Sequence, residues 1–151
     1  MPEIFSSDIQ SARSLFHELE RSHALVTAFF EGCATARLFV DDVVRPQAGV
    51  FVCNSRVLFA GDTTPIDFLE ELAHTFSDEL IPAHRSKGND AYLVCSSAEG
   101  WNTTLQGMFN NCQLYYGTRQ YYEITDFGSK PDLHLPDGFS LQLITPEFLS
   151  S

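Results

Sequence analysis

Apolar residues recur along this chain in two rhythms. The first is helical. Over Ser7–Glu20, the residues Ile9, Ala12, Phe16 and Leu19 fall on one face, and Ser7 with Gln10 has the spacing of a capping box. His23–Glu31 is apolar and fits either a short helix or a strand, until Gly32 breaks it. The second rhythm has period two. In Ala34–Asp41, Ala36, Leu38 and Val40 point one way and Thr35, Arg37 and Phe39 the other, which predicts a half-buried strand. Asp41–Gln47 is a polar loop holding Pro46. Ala48–Cys53 is apolar or glycine throughout, so it predicts a strand buried on both faces and flanked by its two neighbours. Asn54–Ser55 is a tight turn, and Val57–Gly61 is the returning strand of a meander.

The second half of the chain alternates helix and strand. Thr64 is placed to cap a helix that Pro65 opens, with a stripe of Ile66, Leu69, Leu72, Ala73, Phe76 and Leu80, ending before Pro82. Arg85–Asp90 reads as a loop and Ala91–Cys95 as another buried strand. Ser96 and Glu99 form a second capping box, leading into a helix with Trp101, Leu105, Met108 and Phe109 inward. Gln113–Thr125 is a long alternating stretch dense in tyrosine, read as a strand with a bulge at Gly117. The order predicts an α/β (α+β) fold: a mixed, largely antiparallel sheet with an N-terminal β-meander, covered by about three helices. Residues 1–134 form one domain on this reading, with Phe127–His134 as a linker. Residues 135–151 hold the turn Pro136–Gly138, an alternating run Phe139–Ile144 and a helix start at Thr145–Pro146, as at the entry to a following domain.

Composition narrows the partners. At 151 residues the chain is long enough for a real core. Its 20 acids against 9 bases give a formal charge of −11, which disfavours nucleic acid, because phosphate binding needs a basic surface. No apolar run reaches the roughly 18–20 residues of a spanning helix, and the start lacks a signal-peptide pattern, so the expected setting is cytoplasmic and away from membranes. Cys33, Cys53, Cys95 and Cys112 are widely spaced, and Cys53 and Cys95 read as small buried hydrophobes.

Candidate chemistry is sparse. His17, His23, His74, His84 and His134 show no metal spacing, and no metal site is expected. Asp41, Asp42 and Asp62, flanking the ends of the meander, fit solvated loop acids better than cation ligands. Arg85-Ser86-Lys87-Gly88 matches the first four positions of the Gln/Arg-x-x-Gly-x-Gly/Ala pyrophosphate cradle, but Asp90 takes the sixth and would repel phosphate. The tyrosine stretch supplies the candidate interface residues Tyr115, Tyr116, Arg119, Tyr121 and Tyr122. Tyrosine and arginine are enriched at interfaces. The same residues also fit a sheet cover or, less well, a small-molecule pocket.

The chain resembles the N-terminal region of a two-domain bacterial GNAT (GCN5-related) acetyltransferase family. The likeness is carried by Leu38–Asp42 with Pro46 and Ala48–Asp62, by the helix directly after Gly61–Asp62, by Arg119–Tyr122, and by the lead-in Leu135–Phe139. It implies a GNAT-like N-terminal domain, accessory to a catalytic half outside this chain. That half would bind acetyl-CoA and move acetyl to an amine, and it would be the domain's main partner. No cofactor is then expected in this chain, and the resemblance transfers no catalytic residue onto it. The alternative is a stand-alone binding or dimerisation module, with a homodimer as its simplest form.

Overall fold

The computed structural model describes residues 2–4, 9–98, 100–109, 112–117, 136–138 and 140. The chain divides into two compact units, Met1–Thr118 and Arg119–Ser151. In the second unit only the turn at Pro136–Gly138 and Ser140 are described. The strand and helix start expected at Phe139–Pro146, and the linker Phe127–His134, lie outside the described residues.

The first unit holds a five-stranded sheet in the order β1 (Glu3–Ile4), β2 (Arg37–Val40), β3 (Ala48–Cys53), β4 (Arg56–Gly61), β5 (Leu93–Ser96). The first four strands pair antiparallel and β5 joins β4 in parallel, so the sheet is mixed and mostly antiparallel. All six residues of β3 are buried, and β2 and β4 flank it, as the unbroken apolar run predicts. Asn54, with φ of +51°, turns the β3–β4 hairpin in two residues.

Side chains of the meander sort strictly by parity. Leu38, Phe51 and Leu58 are cross-strand neighbours on one face; Phe39, Val50 and Phe59 form the matching row on the other. The half-buried reading of β2 is therefore corrected. Phe39 is 2% exposed, because helices cover the second face as well.

Helices on the first face come from the N-terminus. Here α1 (Ile9–Ala12) runs into a tight 3₁₀ turn at Arg13–Phe16, then α2 (His17–Ser22). Ala12, Phe16 and Leu19 point inward as their spacing predicts. Gln10 does not cap this helix. Its side-chain amide donates to the Phe30 carbonyl at 2.8 Å, and Ser7 lies outside the described residues. The ambiguous segment resolves as α3 (Ala24–Phe30), with Phe29 set edge-on to Phe51 at 5.2 Å. Close approach of this layer requires a glycine in β3: a Cβ on Gly49 would lie 3.1 Å from the Phe16 ring and 2.9 Å from Leu15.

The second face is covered by α4 (Ile66–Thr75), α5 (Ile81–Ser86) and α6 (Gly100–Met108). Thr64 does not cap α4; its hydroxyl donates to Asp62, and the Pro65 carbonyl accepts the first helical bond, from Leu69. The inward line is Phe68, Leu72, Phe76 and Leu80, while Ile66, expected inward, is 67% exposed. Nor does the helix stop before Pro82. It widens into one π-turn at Phe76–Leu80, where the Ile81 N–H reaches back to Phe76, and resumes with proline in its next first turn. Trp101 and Leu105 of α6 close the core, and Trp101 Nε1 donates to the Gly61 carbonyl at 3.1 Å. Ser96, expected to cap α6, donates instead to the Ala98 carbonyl.

Phe51 ties β3 to both neighbouring strands and to α3. Phe51→Ala should therefore cost about 3–5 kcal/mol, as for large buried aromatics, measured by urea unfolding. A loss under ~1 kcal/mol, the scale of surface sites, would contradict its central place.

Candidate functional site

The free edge of the sheet is the feature that changes the functional picture. Ala91–Cys95 reads as a strand buried on both faces, but β5 lies at the edge of the described sheet. Leu93 and Val94 are 37% and 38% exposed. Periodicity misses this because a short apolar run looks the same at a centre and at an edge. A second property of the sequence marks the region. From Ala91 to Thr118, Glu99 is the sole charged residue, in a chain whose net charge is −11. The same stretch carries Leu93, Val94, Leu114, Tyr115 and Tyr116, most of the large apolar side chains that the described surface exposes. Charge depletion together with exposed tyrosine and leucine is the composition of an interface core.

Tyr115 and Tyr116 are 84% and 61% exposed. The strand expected over Gln113–Thr125 does not form over Gln113–Gly117, where no ladder partner is present among the described residues. Alternation alone cannot make a strand without an edge to pair with. Gly117 is accordingly not a bulge. Arg119, Tyr121 and Tyr122 lie outside the described residues.

The start of β5 is fixed firmly. Tyr92 donates its hydroxyl to the Leu80 carbonyl at 2.9 Å and packs edge-on against Phe76. His84, largely buried, stacks on Tyr92 at 4.0 Å, and its Nε2 donates to the Ala91 carbonyl at 3.0 Å. These bonds give His84 a structural role. Arg85–Gly88 forms the C-terminal end of α5, where Lys87 N–H bonds the His84 carbonyl and Gly88 N–H that of Arg85. A helix C-terminus presents carbonyls and a negative dipole end, the opposite of a pyrophosphate cradle.

The acidic loops gather at one end of the sheet, not at its two ends, because antiparallel pairing brings the close of β2 and β4 to the start of β3. The Gln47 carbonyl accepts the Asp62 N–H at 2.7 Å there, a crossing so tight that a Cβ on Gly61, whose φ is +78°, would sit 2.0 Å from that oxygen. The carboxylates are already engaged. Asp41 Oδ1 accepts the N–H groups of Gln47 and Ala48, Asp42 Oδ1 those of Val44 and Arg45, and Asp62 the N–H and hydroxyl of Thr64. Their work is to close loops. Among the described residues no group of three or more His, Cys, Asp or Glu side chains could hold a metal.

Other charged groups also serve the scaffold. Arg37 fastens β1 and the π-turn together through Glu3 and Glu79, which hold its guanidinium well above its usual range, and it lies 4.9 Å above the Phe39 ring. A shallow depression lined by Arg13, Ser14, His17 and Glu20 has its one arginine committed to Glu20 and Glu31. All four cysteines are free thiols. Cys53 is buried, which pushes its thiol pKa up, whereas Cys95 is only partly buried, correcting the fully buried expectation.

Backbone amides of Arg45 and Val44 hold the Asp42 carboxyl below its ordinary 3.8, and the Thr64 hydroxyl and amide do the same for Asp62. A lowered folded value gives stability that is complete above 3.8 and is lost as pH falls through that value. Asp42→Asn and Asp62→Asn should therefore lower Tm at neutral pH, with the gap to the native chain closing below pH 3.8, as followed by thermal melts across pH. A gap that does not change with pH would show that the charge is not what the loops use. No protein-family model and no curated protein matches the chain.

Proposed function

We propose that this chain is an accessory module of a GNAT-type N-acetyltransferase, offering a docking surface while the catalytic half binds acetyl-CoA and transfers acetyl to an amine. One observation carries the docking role: a nearly charge-free, partly apolar surface on β5 and 112–117 of a strongly acidic chain. The acetyltransferase assignment rests on the sequence resemblance at Leu38–Asp62, Arg119–Tyr122 and Leu135–Phe139. In the partner half, a base would remove the amine proton as it attacks the thioester. A stand-alone binding module is the second reading, favoured by the free β5 edge.

Two measurements test the leading reading. Calorimetric titration of this chain with acetyl-CoA should give no binding heat and no thermal shift; saturable binding would move the chemistry into this chain and overturn the accessory role. The reading frame beyond Ser151 should hold a Gln/Arg-x-x-Gly-x-Gly/Ala helix start within ~120 residues, a domain's length. Its absence there would leave the stand-alone module.

A further inference from the structure

We infer that the β5 edge is the seam of a homodimer, in which Leu93–Ser96 of two copies pair antiparallel and the two sheets become one. The inference holds whether or not the acetyltransferase reading does, because it uses only the shape and charge of this unit. The sheet's two edges are treated differently. At one edge, β1 is two residues long and its Glu3 is locked to Arg37, a short charged edge of the kind that blocks strand addition. At the other, β5 has no proline, no lysine and no charge, and it exposes Leu93 and Val94. Among the described residues nothing pairs with its outer side.

Charge selects a second copy as the occupant. Two molecules of charge −11 repel, so a contact between them needs a surface from which charge is absent. Ala91–Ala98 supplies one, uncharged over its whole length. A partner recognising this acidic protein by opposite charge would engage another face. An antiparallel two-fold pair is also self-complementary, since each outward N–H meets a carbonyl of the same strand in the other copy. The anchoring of Tyr92 to Leu80 and of His84 to Ala91 holds the edge in place before it pairs.

The test is light scattering of the whole chain over a dilution series. The expected mass is twice the 16.9 kDa of one chain. Raising salt to about 1 M, where the screening length is ~3 Å, should strengthen the dimer by damping the repulsion of its acidic faces. Val94→Lys places a charge on the edge and should raise the dissociation constant by about tenfold or more, with the far-ultraviolet circular dichroism unchanged. Hydrogen exchange on the native chain supplies a readout that needs no variant: amides of Leu93–Ser96 should lose protection on dilution, while those of β3 keep theirs. A mass of one chain at every concentration overturns the inference. So does a dimer that survives Val94→Lys, or one whose β5 amides exchange alike at high and low concentration. If the lysine variant does not fold, the exchange comparison decides.

Discussion

Burial of β3 on both faces is the constraint on which the rest of this fold depends. A strand with no polar side chain to turn to water must be covered twice. Its two cross-strand rows, Leu38–Phe51–Leu58 and Phe39–Val50–Phe59, set the register of the meander, since a one-residue slip would exchange the faces of every residue. The rows also divide the helices. The N-terminal segment must lie over Phe51, and α4 to α6 must lie over Phe59, which Phe76 and Trp101 contact. Two glycines allow the close approaches that result, Gly49 beneath Phe16 and Gly61 beneath the Gln47 carbonyl.

Charge is arranged around this core in a consistent way. Acids close loops by accepting backbone N–H groups, as Asp41, Asp42 and Asp62 do, or hold arginines, as Glu3, Glu79, Glu20 and Glu31 do. Exposed ion pairs of this kind contribute little each. Arg37 is the stronger case, because it joins two elements far apart in sequence, bonding Glu3 through both carboxylate oxygens, and covers Phe39. The described carboxylates discussed here thus have structural partners, and the surface left for recognition is the uncharged one.

Much of the fold was legible in the sequence where burial repeats with a clean period. The double burial of β3, the hairpin at Asn54 and the inward faces of α1, α2 and α6 all follow from spacing. The departures share one cause: periodicity reports which residues are apolar but not what lies beside them. It could not tell that β5 is an edge, that a second helix layer buries Phe39, or that Gln113–Gly117 finds no ladder. Local chemistry failed for a related reason. Gln10, Thr64 and Ser96 have the spacing of caps, yet each found a different partner, at Phe30, Asp62 and Ala98. The charge-free stretch from Ala91 to Thr118 was readable from the start. It becomes informative once β5 is known to be exposed.

The parallel joining of β5 explains why an unprotected edge exists here at all. A meander continued by another hairpin would have added an antiparallel strand with alternating polar residues. Instead the chain crosses over through α4 and α5 and returns on the far side of β4, and Leu93 N–H bonds the Ser55 carbonyl at 2.7 Å. Strands reached by such crossovers carry near-continuous apolar sequence, since they are ordinarily buried inside a parallel sheet. Here the parallel run stops after one strand. The apolar composition remains while the covering neighbour does not, and the Tyr92 and His84 hydrogen bonds keep β5 from shifting inward to hide it. An interior kind of strand is thereby held rigidly at the margin of the described sheet, which is the physical condition for adding another strand.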